Sequence, residues 1–134
     1  MSGPGARAVF GFAYNEFMGN EQDIGFLRQA IEKSRQSLQE GNFPAGAVVV
    51  KDGKVISKGV SLGHKLHDPT EHAETSAIKK ACQAVGSSNL EGATLYESLE
   101  CCNMCFSVCN WVNISKIVYA CRKTPGCKSP VGYE

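Results

Sequence analysis

The chain carries almost no surplus charge of either sign. Fourteen basic residues stand against 13 acidic ones in 134, for a formal net charge of +1. That balance gives no general positive field for gripping a polyanion, though it leaves room for a local basic patch. No apolar run approaches the roughly 20 residues that a membrane-spanning helix needs. The N-terminus, with Arg7 and the mixed stretch "AVFGFAYNEF", lacks the charged, apolar and small-residue parts of a secretory leader. The expectation is a cytoplasmic protein without a membrane partner. Internal repeats and low-complexity segments are missing too. So is a disulfide framework: the seven cysteines are odd in number and unevenly clustered at 82, 101, 102, 105, 109, 121 and 127. Metal binding is the better reading of such a cluster, and isolated residues such as Cys82 read as small buried hydrophobes.

What is present fits one compact domain. The first 20 residues read as an arm, in which "RAVFGFAY" is either an edge strand or a loose segment; residues 21–134 read as the domain proper. Asp23 can cap a helix in which Ile24, Leu27, Ala30, Ile31 and Leu38 recur near helical spacing, stopped by Gly41-Asn42. "FPAGAVVV" is a buried strand, "KDGK" a hairpin turn, and "VISKGVSL" the returning strand. The polar loop "GHKLHDPT" leads to a second helix with Ala73, Ala77, Ile78, Ala81 and Val85 as its stripe. Asp68 or Thr70 can cap that helix and Gly86 ends it. "GATLYESLE" is a strand, and "CCNMCFSVCNWV" a helix with Met104, Val108 and Trp111 or Val112 turned inward. "SKIVYAC" is the last strand. Two strand–helix–strand crossovers predict parallel pairing and a three-layer α/β/α sandwich on a mixed sheet.

Two short elements carry chemistry. "HAE", His72-Ala73-Glu74, and "CNMC", Cys102 to Cys105, each fall in the first turn of a helix. Free backbone N–H groups and the positive end of the helix dipole favour thiolate over thiol there. One imidazole and two thiolates make three protein ligands, which leaves a position for water, whereas a structural zinc site closes with four. Glu74, two residues after His72, is placed to carry protons beside a metal-bound water, whose pKa zinc lowers to about 7.

The spacing H-x-E … C-x-x-C resembles that of the cytidine and deoxycytidylate deaminase superfamily. The resemblance is greatest to the branch holding bacterial guanine deaminases, cytosine deaminases and tRNA wobble adenosine deaminases. It rests on "PAGAVVVKDGKVISKG", "HDPTEHAETSAIKKAC" and "ATLYESLECCNMC", and runs from Ile24 to Cys121. It implies a cytidine-deaminase-like fold with zinc held by His72, Cys102 and Cys105. It also implies that Glu74 moves a proton from the attacking water to a ring nitrogen and then assists the loss of ammonia. The Ala73 N–H would meet a substrate carbonyl. Ser61, Asn42 and His67 are further candidates for substrate contact, with a strand-end serine, a helix-stop asparagine and a plain loop histidine as their structural alternatives. A homodimer or larger homo-oligomer is implied as well.

Three departures from the pattern stand out. Cys101 occupies a position where proline normally precedes the first thiolate ligand. Ser61 stands where an asparagine commonly contacts substrate. The chain ends in "RKTPGCKSPVGYE", where relatives continue with a helix, a strand and often a last helix, so the C-terminal elements read as truncated. The favoured function is deamination of a small guanine- or cytosine-like nucleobase or nucleoside. A tRNA wobble adenosine deaminase is the first alternative. A non-catalytic zinc protein, closed by Cys101, Cys102, Cys105 and His72, is the second; a degenerate deaminase kept as a partner subunit is a third.

Overall fold

The computed structural model describes residues 7–10, 13–16 and 21–122. The C-terminal segment from residue 123, read above as truncated, lies outside the described residues, as does Cys127. The elements run β1 (Arg7–Phe10), β2 (Ala13–Glu16), α1 (Glu21–Gln39), β3 (Gly46–Lys51), β4 (Lys54–Val60), α2 (Gly63–Leu66), α3 (Ala73–Val85), β5 (Thr94–Leu99), α4 (Asn103–Trp111) and β6 (Lys116–Cys121). The strands form one mixed sheet in the order β2-β1-β6-β5-β3-β4.

The alternation of side chains along the central strands sorts the core into two layers. Val48, Val50, Tyr96 and Val118 meet Leu27 and Ala30 of α1 on one face. Ala47, Val49, Leu95, Ile117 and Tyr119 meet α3 and α4 on the other. The three-layer α/β/α architecture expected from the element order is therefore present. The pairing differs in one respect. β5 is parallel to β6, but β4 and β5 are not neighbours. Both are antiparallel to β3, which stands between them. The hairpin takes up one edge of β3, so the crossover through α3 must deliver β5 to the other edge. At the far side, β1 lies antiparallel to β6, pairing Arg7 with Tyr119 and Val9 with Ile117, so "RAVF" forms a strand along that edge.

Several helix faces differ from the simple apolar stripe. Ile24 is 39% and Leu38 61% exposed, whereas Asp23 and Ser37 are buried. Asp23 sits inside the first turn of α1 rather than capping it. Its Oδ1 accepts a 2.5 Å hydrogen bond from the Tyr96 hydroxyl. On α4 the inward residues are Cys105, Cys109 and Val112, while Trp111 is 85% exposed and Met104 and Val108 only partly buried. The Cys105 and Cys109 thiols pack as small hydrophobes in the core layer shared with α3.

Two glycines set how closely the helices approach. A Cβ on Gly46 would stand 2.1 Å from the Ala30 carbonyl oxygen of α1, and one on Gly59 2.1 Å from the Ala73 carbonyl oxygen of α3. By contrast, a Cβ on Gly25 meets nothing within 4 Å. Gly46→Ala is therefore expected to destabilise the fold by about 1–3 kcal/mol through overpacking. Gly25→Ala, within α1, is expected to stabilise it by about 0.5–1 kcal/mol. Urea unfolding of both variants checks this; a neutral Gly46→Ala would contradict the close helix–sheet approach.

Candidate active site

The site forms where α3 and α4 begin. His72 is the N-cap of α3 and Cys102 the N-cap of α4, both with extended backbone. Neither Asp68 nor Thr70 caps α3. The Asp68 carboxylate instead accepts from Thr70 N–H and hydroxyl at 2.9 and 2.7 Å, shaping the preceding turn. Thr75 Oγ1 accepts from His72 N–H at 3.0 Å, which fixes the residue that presents the imidazole. Cys102 O accepts from Phe106 N–H at 2.9 Å, so the first turn of α4 is closed.

His72 Nδ1 lies 3.5 Å from Cys102 Sγ and 3.5 Å from Cys105 Sγ. All three ligand atoms are within 4.8 Å of one another, and both thiols are buried. Tetrahedral zinc with ordinary Zn–N and Zn–S bonds would separate nitrogen and sulfur by about 3.6 Å. The donor set and its spacing therefore fit zinc. Among the described residues this is the one cluster of three such donors. Cys101 is buried next door but does not belong to it, and Cys109 lies one turn deeper; the four-ligand reading with Cys101 finds no support in this arrangement.

Electrostatics follow from the burial. The Cys105 thiol hydrogen-bonds the Cys102 sulfur, and with help from His72 this pulls Cys102 down to about 4 despite its burial. The same contact, with burial, pushes Cys105 up. A divalent ion binds both sulfurs as thiolates, so it must displace any proton they carry. The Glu74 carboxyl is buried and is raised to about 7, chiefly by burial; its own backbone N–H opposes the rise, the Cys102 charge adds to it and that of His72 lowers it.

Glu74, His72 and Ala73 line a cavity of about 360 Å³. Ser61 and His64 contribute to its wall, with Phe43 and Leu99 as apolar surfaces. Ser61 directly follows β4, at the strand end, and lines the cavity there. His67 and Asn42 do not line it. His67 is exposed, in the left-handed conformation that closes α2. Asn42 is buried, and its Oδ1 accepts from Lys65 N–H at 3.1 Å, tying down the start of the α2 segment. His64 is exposed and is the histidine that lines the cavity. "GHKL" reads as loop because a four-residue helix has too few turns to show a period.

Sequence reasoning also missed Ser37. Its hydroxyl donates to Ala45 O at 2.7 Å and accepts from Ser61 N–H at 2.9 Å, so a buried residue of α1 holds two segments of the cavity wall. A serine inside an amphipathic helix gives no signal that it points inward. Lys79, exposed on α3, ion-pairs with the buried Glu71 just ahead of His72. No helix among the described residues is long and apolar enough to cross a membrane.

Comparison with known proteins agrees with this geometry. Residues 20–121 match the family model for the cytidine and deoxycytidylate deaminase zinc-binding region. A tRNA-specific adenosine deaminase of Aquifex aeolicus is 39% identical over 103 residues, covering 77% of this chain and 66% of the relative. A guanine deaminase of Bacillus subtilis is 38% identical over 100 residues, covering 74% of this chain and 64% of the relative. The chain thus matches just under two thirds of the length of these relatives. Among solved structures, guanine deaminase from Bacillus subtilis superposes with a TM-score of 0.76 at 34% identity, covering 85% of this chain and 72% of that one. A structure from a study of A-to-I editing by tRNA:A34 deaminases gives a TM-score of 0.71 at 35% identity, covering 74% and 76%.

The donor set predicts one zinc per chain, bound with release of protons, so that affinity falls as pH falls. Zinc at about 100 times its Kd should add about 2.7 kcal/mol to the unfolding free energy. His72→Ala and Cys102→Ser should abolish both binding and stabilisation, while Cys121→Ser, at an exposed position, should keep them. Metal analysis with thermal unfolding reads the outcome.

Proposed function

The chain belongs to the cytidine and deoxycytidylate deaminase family, and from that premise we propose that it is a zinc-dependent hydrolase that replaces the exocyclic amine of a nucleobase or nucleoside by oxygen, releasing ammonia. The observation that carries this reading is the buried Glu74 carboxyl in a cavity that His72, one of the three clustered donors, also lines. A purely structural zinc site has no need of such an acid. We assign His72, Cys102 and Cys105 as the metal ligands. Bound there, zinc would act as a Lewis acid that brings a water's acidity near neutrality.

The remaining work falls to the chain's own groups. Glu74 accepts a proton from the attacking water, delivers it to the ring nitrogen beside the reacting carbon, and then assists protonation of the leaving amine. Water and the amino base become the keto base and ammonia, and the carboxyl ends as it began. A carboxyl raised to about 7 by burial can both take and give a proton near neutrality. The Ala73 N–H, in the first turn of α3, is a donor for a substrate carbonyl. Ser61 offers a short hydroxyl where a longer amide is the commoner choice. His64 at the wall takes the place first assigned to His67.

A small free substrate, guanine- or cytosine-like, is favoured. The cavity has the volume of a small-molecule site. The formal net charge of +1 supplies no field for a polynucleotide. The second reading, a wobble adenosine in tRNA, is supported by the naming of relatives from Aquifex aeolicus and Agrobacterium fabrum as tRNA-specific adenosine deaminases. Cytoplasmic work and a homodimer or larger homo-oligomer belong to the same proposal, and the exposed Trp111 gives α4 a surface for the second copy.

An ammonia-release screen of the zinc-loaded protein against guanine, adenine, cytosine, their nucleosides and a tRNA anticodon stem tests the assignment. Glu74→Ala is expected to lower release by about 10²–10⁴ with zinc retained. Release unaffected by that change would overturn the mechanism. Turnover of the stem alone, weakening steeply with salt, would replace the small-substrate reading with the tRNA one.

A further inference from the structure

The mechanism leaves one buried acid without a task. Glu97, on β5, is 1% exposed and faces the layer that holds α3 and α4. A carboxyl so deep costs several kcal/mol of desolvation unless something compensates it. Its Oε1 accepts the backbone N–H of Cys101 at 2.9 Å, while Oε2 has no hydrogen-bond partner. Burial, and next the Glu74 charge, push its carboxyl well above the usual range.

The partner of this bond explains why it exists. Residue 101 immediately precedes the N-cap of α4, the residue whose sulfur faces His72. The turn joining β5 to α4 is otherwise anchored by Glu100 N–H to Cys121 O at 2.7 Å. A proline at 101 would have a fixed φ and no N–H. Cysteine brings an N–H into a dry place, where an unpaired donor costs about 1–3 kcal/mol. Glu97 supplies the missing acceptor. The feature to explain at position 101 is therefore the amide as much as the thiol.

We propose that Glu97 is a positioning residue for the metal centre: its side chain latches the Cys101 N–H and so fixes the turn that delivers the Cys102 ligand, doing for a cysteine at this position what ring closure does for a proline. The inference rests on Cys102 being a metal ligand, not on the reaction or its substrate.

Cobalt(II) binding to the full chain, followed by thiolate charge-transfer and visible absorption, tests it without turnover. Loss of an outer partner of a metal ligand commonly weakens metal affinity about 10–100-fold. Glu97→Leu, which leaves the N–H unpaired, and Cys101→Pro, which leaves the carboxyl unpaired, should each weaken cobalt binding by about that factor. The double variant removes donor and acceptor together and should return to within about threefold of the parent, a coupling that independent residues cannot produce. Glu97→Gln, whose amide oxygen still accepts, and Cys101→Ala, which keeps the N–H, should both stay within about threefold, their absorption bands unmoved. Equal weakening by Cys101→Ala and Cys101→Pro would overturn the proposal in favour of the thiol, and multiplying effects in the double variant would overturn it in favour of unconnected roles. If Glu97→Leu does not fold, Cys101→Pro against Cys101→Ala decides. Loss of cobalt binding only in His72, Cys102 or Cys105 variants would leave the ligand assignment standing and sink the latch. Bound cobalt unaffected by Cys102→Ser would instead sink the ligand assignment beneath it.

Discussion

Three donor atoms from two different helices have to meet within a few ångströms, and the sheet determines whether they can. His72 and Cys102 are both N-caps, and α3 and α4 pack on the same face of the sheet, next to β4 and to β5 and β6. Gly59 under Ala73 lets α3 lie close to β4, and Cys105 and Cys109 seat α4 in the same core layer. The 3.5 Å separations at His72 Nδ1 result from this packing. The helix ends also supply the positive field in which thiolates are stable.

Around that convergence the chain distributes its polar groups economically. Ser37 reaches from α1 to hold both Ala45 and Ser61, so the cavity wall is set from the opposite layer of the sandwich. Asn42 fixes the α2 segment from which His64 enters the cavity. Tyr96 and Asp23 tie α1 to β5, the strand that leads into the cysteine turn. Each is a buried polar group with a partner, which rigidifies its neighbourhood where an unpaired group would weaken it. Glu74 and Glu97 share the interior. Burial therefore acts on both to favour the protonated form.

The features legible in the sequence were those with short-range chemistry. "HAE" and "CNMC" announced their helix starts and their donor set, Asp52-Gly53 announced the hairpin, and Gly86 announced the end of α3. The features that were not legible depend on the third dimension. Ile24 and Leu38 fit the helical period yet are exposed, while Asp23 and Ser37 lie inside because partners on other elements await them. Trp111 has the composition of a core residue, yet the sheet-facing side of α4 is filled by Cys105, Cys109 and Val112. The exchange of His67 for His64 has a similar cause: His64 lies within the four-residue α2, and His67 is its left-handed C-cap, where the chain turns away. The separation of β4 from β5 by β3 follows from which edge the hairpin leaves free, and side-chain pattern does not encode that choice.

An open zinc site of one imidazole and two thiolates is the central claim, and the ligand atoms around bound zinc test it most directly. X-ray absorption of the zinc-loaded chain is predicted to show two sulfur scatterers at about 2.3 Å and two lighter atoms at about 2.0–2.1 Å, one of them exchangeable. Three sulfurs with a single light atom would mean that Cys101 closes the site, and would contradict the account.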